Sequence, residues 1–291
     1  MQLGLIDELI EKIEALNAPV CVGIDPRLED IPQEIKIGKT TAEAFLAYGK
    51  QIIDAVKELV PAIKPQIAMY EMLGWVGIKA YEETISYAKK SGLIVILDVK
   101  RGDIGSTAEN YAVGYLGENQ AYHADFITLN PYLGTDSLAP FVESCEKNDK
   151  GVFILVKTSN PGSADIQDII ATDNQPIYQH VAHMVSQLGE NSIGKYGFSP
   201  VGAVVGATHG QLSEKIREMM PHTFFLVPGY GAQGGSVANI KPLFKNKKGL
   251  IVNSSRGIIA AWKQEKYKNK SFQEATKQAT LEMIEDLRGI L

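Results

Sequence analysis

Short apolar runs rich in β-branched residues alternate along this chain with longer stretches whose apolar positions recur every three to four residues. Eight runs have the first character: 19–25, 61–68, 93–100, 124–131, 151–159, 201–208, 223–231 and 249–255. Each is short, continuous and bounded by Gly, Pro, Asn or Asp, the signature of strands buried on both faces. Helical periodicity connects them, most clearly over 41–59, 75–91, 106–120 and 175–189, and a further helix is predicted over 271–291. Strand–helix alternation implies a parallel sheet, because parallel neighbours need a crossover. Eight strands predict that this α/β chain is a closed (β/α)8 TIM barrel rather than an open doubly wound sheet. The amphipathic first helix would then cover the barrel bottom.

No segment is polar or long enough to act as a linker, so residues 1–291 are expected to form a single domain. The segments after the first and fifth strands, 26–39 and 160–175, exceed the common loop length of about 4–6 residues and are candidates for rims or lids.

Composition narrows the partners. The formal net charge of −5 speaks against a nucleic-acid-binding surface, which needs clustered positive charge. The lysines of 245–248 and 263–270 suit a solvated face. No apolar stretch reaches the roughly 18–20 residues of a membrane span, and the acidic, amphipathic N-terminus fits neither a signal nor a transit peptide. The two cysteines, Cys21 and Cys145, suit a reducing cytoplasm, with Cys21 packed as a small hydrophobe.

The chemistry lies where the apolar runs end. Asp25, Lys64, Asp98 with Lys100, Asn130, Lys157 with Ser159, Thr208, and Ser254 with Ser255 and Arg256 all follow or finish such a run. In a barrel those ends form the active-site face. Asp98 and Lys100 stand two apart on one strand and are expected to share a face. With Lys64 and Asp103 they could form an alternating charge array of the kind that shifts pKa values for proton transfer. A buried ion pair kept for stability alone is disfavoured, since such pairs gain little over apolar replacements.

The stretch "VPGYGAQGG", 227–235, contains G-x-G-x-x-G as text. It follows the seventh strand rather than the first, and no acidic ribose partner ends the next one, which speaks against a dinucleotide fingerprint. In a barrel this loop is instead a phosphate site, with Arg256 able to add a bidentate contact, so a phosphorylated substrate is expected. His180 and His183 lie at helical spacing without a ligand-like partner, and His209 could contact the rim. No nucleophile motif is visible, and no covalent intermediate is expected.

Those residues resemble the orotidine 5'-phosphate decarboxylase family. "DVKRGDIGST" is similar to its D-x-K-x-x-D signature, and "GIDP", the lysine of the second strand, "SNPG", "PGYGAQGG" and the arginine after the eighth strand agree with it over nearly the whole chain. The length and first loop resemble the longer bacterial subgroup. The resemblance implies cofactor-free and metal-free decarboxylation of orotidine 5'-phosphate to uridine 5'-phosphate in de novo pyrimidine biosynthesis. It implies Asp98 against the substrate carboxylate, Lys100 as the proton donor, and Asp25 and Lys64 on the ribose. Ser159, or its neighbour Thr158, would contact the pyrimidine. Pro228, Gln233, Gly234 and Arg256 would line the phosphate side. Asp103, Ile104 and Thr107 would reach a neighbouring subunit's site, making a homodimer with shared sites. Ser255 departs from the glycine of compact members. A magnesium-dependent sugar-phosphate enzyme shares D-x-K-x-x-D, but Asp25 and Lys64 favour the decarboxylase. A non-catalytic phosphate-ligand sensor would not need Lys100.

Overall fold

The β-branched runs pair in sequence order into a closed parallel barrel, β1 Val20–Ile24, β2 Ala62–Pro65, β3 Ile94–Arg101, β4 Phe126–Leu129, β5 Gly151–Lys157, β6 Ser199–Val205, β7 Thr223–Val227 and β8 Leu250–Ser254. β8 returns to β1 with Cys21 opposite Asn253, so no strand is left with an open edge. The computed structural model describes residues 4–118, 120–231 and 235–289.

Helices α1 Leu5–Leu16, α2 Thr41–Val56, α3 Trp75–Lys90, α4 Gly105–Leu116, α5 Thr135–Asn148, α6 Ile177–Leu188, α7 Gly210–Met219 and α8 Phe272–Arg288 account for the long periodic stretches. α2 and α8 start on capping boxes, in which Thr40 and Ser271 each accept from, and donate to, a glutamate three residues on. Between β7 and β8 the described residues form a short helix, Val237–Ile240, and a following helical turn, Lys241–Leu243. None of the described helices is long and apolar enough to cross a membrane.

The alternation of side chains along each strand sorts the barrel interior into two levels. At the lower level Cys21, Ala62, Ile94, Ile96, Phe126, Phe153, Phe224, Leu226 and Ile251 pack together. Leu5, Ile6, Leu9 and Ile10 of α1 close them off from below. Burying an aliphatic side chain of this kind stabilises by roughly 1.5–3 kcal/mol. Three phenylalanines fill the centre, Phe126 stacked on Phe153 at 5.0 Å and Phe153 tilted against Phe224 at 6.5 Å. They fit because Gly151 and Gly202 stand beside them: a Cβ at either would come within 2.2 or 2.6 Å of a phenylalanine ring. One step higher on the same inward register the residues become polar, Lys64, Asp98, Thr128 and Asn253, with Asp25 two steps above Cys21.

Both long segments are ordered rather than plain loops. Residues 26–39 form a turn at Leu28–Asp30 and a short helix at Gln33–Lys36. The buried Asp30 ties this segment to the tail after β8, through Lys263 Nζ at 2.6 Å and the Trp262 indole N–H at 2.9 Å. Residues 160–175 form a turn at Pro161–Ser163 and a short helix at Ala164–Gln167.

Candidate active site

Two cavities open on the C-terminal face and meet at Lys64, Asp98 and Pro228. The larger, about 760 Å³, lies over β3 to β5 and is lined by Lys100, Thr128, Asn130, Thr158, Ser159 and Gln167 among others. The smaller, about 260 Å³, is mostly polar and lies over β1, β7 and β8, against Asp25, Gly229, Asn253, Ser255 and Arg256.

At the junction a carboxylate stands between two ammonium groups. Lys64 Nζ donates to Asp98 Oδ2 at 2.6 Å, and Lys100 Nζ donates to Asp98 Oδ1 at 2.5 Å. Asp98 and Lys64 are buried, while the Lys100 side chain is 46% exposed to the cavity. Burial alone would push the Asp98 carboxyl up, but the two ammonium groups hold it far below the ordinary carboxylate range. Burial alone would likewise pull Lys64 down, and the Asp98 and Asp25 carboxylates instead hold it above the ordinary lysine range.

The route by which Lys100 reaches Asp98 corrects the sequence expectation of a regular pleat. Leu97 pairs with Ile127 and Arg101 with Leu129, so Asp98, Val99 and Lys100 stand opposite the single residue Thr128. Lys100 adopts a left-handed backbone, φ +46°, which costs a non-glycine residue about 1–2 kcal/mol. The two side chains still meet, through a bulge. The buried Thr128 was not singled out from the sequence, where a threonine in "FITLN" is only a good strand former.

A second bulge makes a second correction. Leu155 pairs with Val204 and Lys157 with Val205, so Val156 is the extra residue and the parity of β5 reverses. Lys157 therefore points away from the mouth. It is buried, its Nζ donates to Asp168 Oδ1 at 2.6 Å, and it lies 5.7 Å from the centre of the Tyr178 ring. The next residues do face the larger cavity. Thr158 is held on all sides: its N–H donates to Gln167 Oε1 at 3.0 Å, and its Oγ1 accepts from Gln167 Nε2 at 2.8 Å. Its carbonyl accepts from His209 Nε2 at 2.7 Å. His209, expected at the rim, thus anchors the segment that presents Ser159, and Gln167 was not anticipated.

Asp25 and Asn253 bring buried acceptor oxygens, Oδ1 in each case, that have no hydrogen-bond partner among the described residues. Asn253 also went unnoticed in the sequence. Gly23, of "GIDP", is required by Ser255, whose Oγ would lie 1.9 Å from a Cβ there. Gly229 and Gly231 have φ of +93° and +69°, the turn that an L-residue disfavours. Gln233 and Gly234 lie outside the described residues. Asp103, Ile104 and Thr107 line neither cavity, and among the described residues none of them bonds to Lys64, Asp98 or Lys100. Asp103 Oδ1 accepts from the Ile104 N–H at 2.9 Å, and Ile104 is 58% exposed.

A (β/α)8 barrel that gathers a compensated Lys–Asp–Lys chain and a glycine-rich turn at its strand ends defines the class, a barrel enzyme whose candidate site lies at the C-terminal face. A family model described as orotidine 5'-phosphate decarboxylase / HUMPS family matches residues 18–269. An orotidine 5'-phosphate decarboxylase of Rhodopirellula baltica is 45% identical over 284 residues, covering 92% of this chain and 94% of its own. One of Clostridium perfringens is 42% identical over 285 residues, covering 98% of each. The solved structure of Leishmania donovani OMP decarboxylase matches with a TM-score of 0.78 at 32% identity, covering 99% of both chains. This chain belongs to the orotidine 5'-phosphate decarboxylase family.

Proposed function

We propose that the chain decarboxylates orotidine 5'-phosphate to uridine 5'-phosphate in pyrimidine biosynthesis, with Lys100 as the proton donor and without a cofactor. The observation that carries this reading is the Lys64–Asp98–Lys100 chain at the junction of the two cavities. The pyrimidine would occupy the larger cavity beside Ser159, and the phosphate the smaller one, held by Arg256 and the turn that begins at Pro228. The unpartnered oxygens of Asp25 and Asn253 would accept from ribose hydroxyls, since a buried acceptor without a donor is costly.

The reaction breaks the bond between ring and carboxylate, and carbon dioxide leaves its electron pair on the ring carbon. No neighbouring group delocalises that pair, so the protein must meet it with fixed charge. Asp98 cannot take up a proton at neutral pH, because two ammonium groups compensate it. It would therefore face the substrate carboxylate as a like charge that is relieved when carbon dioxide departs. Lys100 donates its proton to the ring carbon and recovers one from solvent.

We also propose a homodimer in which Asp103, Ile104 and Thr107 complete the partner's site. Met72, Ile104, Tyr132 and Leu133, on the segments after β2, β3 and β4, and Trp75, the first residue of α3, are all exposed and offer apolar surface for it.

Lys100→Ala is expected to lower kcat by at least about a thousandfold while uridine 5'-phosphate binding stays measurable. A chelator is expected to leave the wild-type rate unchanged. Spectrophotometric turnover of orotidine 5'-phosphate tests both: an active Lys100→Ala removes the proton donor, and inhibition by chelation favours a magnesium-dependent relative.

A further inference from the structure

We propose that Thr128 is a positioning residue for Lys100: its hydroxyl holds the left-handed bulge of β3 that aims the ammonium group at Asp98 and the cavity. Between the flanking pairs Leu97–Ile127 and Arg101–Leu129, three residues of β3 face Thr128 alone. Such a bulge leaves ladder groups without their usual strand partners. Two of these are the backbone N–H groups of Val99 and Lys100, and both donate to Thr128 Oγ1, at 3.0 and 2.9 Å. The same hydroxyl donates its own proton to Asp98 Oδ1 at 3.0 Å.

A hydroxyl has one donor and two acceptor sites, so these three bonds use it completely. Thr128 lines the larger cavity but has no hydrogen-bonding capacity left for a substrate, which separates its role from a binding contact. Asp98 is fixed by the same arrangement. Its Oδ1 receives both Thr128 and Lys100, and its Oδ2 receives Lys64, so one side chain from β4 sets carboxylate orientation and lysine backbone together. Lys100 keeps its positive φ because these bonds over-determine it. Without the hydroxyl, the buried N–H of Val99 and the half-buried N–H of Lys100 lose their acceptor, and Lys100 is expected to relax toward φ < 0, carrying its ammonium group away from Asp98.

This inference rests on the reading of Lys100 as the proton donor, so three variants are compared: Thr128→Val, which keeps the shape and removes the hydroxyl, Thr128→Ser, which restores it, and Lys100→Ala. We expect Thr128→Val to lose roughly ten- to a hundredfold in kcat, as for a lost bond to a charged group, with uridine 5'-phosphate affinity held within about threefold. Thr128→Ser should stay within about threefold of wild type in both. A crystal structure of Thr128→Val should show Lys100 out of the left-handed region. A merely structural role would lower the melting temperature of Thr128→Val and leave the kcat of the folded enzyme unchanged, and that result overturns the proposal. So does a Thr128→Val structure with Lys100 still at φ near +46°. If Lys100→Ala remains active, the proton-donor reading fails by itself, while the backbone of Thr128→Val still decides what Thr128 holds. Should Thr128→Val not fold, Thr128→Cys, with its weak hydrogen-bonding thiol, is read by the same measurements.

Discussion

At Asp98 burial and charge pull in opposite directions, and charge wins because two ammonium groups lie within hydrogen-bonding distance of one buried carboxylate. A carboxyl held below its unfolded value contributes stability that is complete above about pH 4 and is lost as pH falls through the folded value. Lys64, held above its unfolded value, contributes stability that is complete below about pH 10 and is lost as pH rises through its folded value. Stability from this pair should therefore be flat across neutral pH. Asp98→Asn removes the acid limb and leaves Lys64 buried with only Asp25 to compensate it, so a loss of about 3–5 kcal/mol is expected. Urea unfolding of both proteins from pH 3 to 9 would show it. A variant as stable as wild type with the same acid slope would mean that Lys64 does not depend on Asp98. Asp98, Lys100 and Lys64 were legible in the sequence because charged residues rarely end buried strands without cause. Thr128, Gln167 and Asn253 were not: each is a common polar residue whose role exists only through partners distant in the chain.

At the scale of elements, the alternation of strands and helices was legible almost entirely, since apolar runs report burial on both faces of a parallel sheet. Strand irregularities were not, because a bulge changes the parity of a strand without changing its composition. The bulge in β5 is why Lys157, which reads as a mouth residue, instead becomes the anchor of segment 160–175 through Asp168, beside Tyr178 of α6. That anchor has a consequence for binding. Gln167 lies one residue before Asp168 and clamps Thr158, so, on the proposed placement of the pyrimidine beside Ser159, loosening the segment should reduce the fraction of enzyme competent to bind. Apparent affinity falls in proportion to that fraction. Lys157→Met keeps the buried volume and cuts the tie. KM is expected to rise roughly tenfold with kcat changed less, and proteolysis within 160–175 to quicken. Unchanged KM together with unchanged cleavage would show that the segment holds itself in place without Lys157.

For the whole molecule, the barrel closes the lower interior with apolar side chains and α1, and this leaves the upper level as the place where buried charge can be compensated across strands. The Lys–Asp–Lys chain is complete within a single polypeptide, whereas Asp103 accepts from its own neighbour, the Ile104 N–H, and Ile104 is exposed. If Asp103 serves the partner's site, two inactive proteins should restore each other. Lys100→Ala supplies an intact Asp103, and Asp103→Ala supplies an intact Lys100. In the mixed dimer one site then combines both defects and the other has none, as two-fold symmetry requires. Unfolding the two variants together and refolding them should place about half of the chains in mixed dimers and recover about a quarter of wild-type activity. If Asp103 instead acts within its own subunit, both sites of the mixed dimer carry one defect and no activity returns. Sedimentation of the refolded mixture shows whether dimers formed, so a failure to assemble is distinguished from a failure to share.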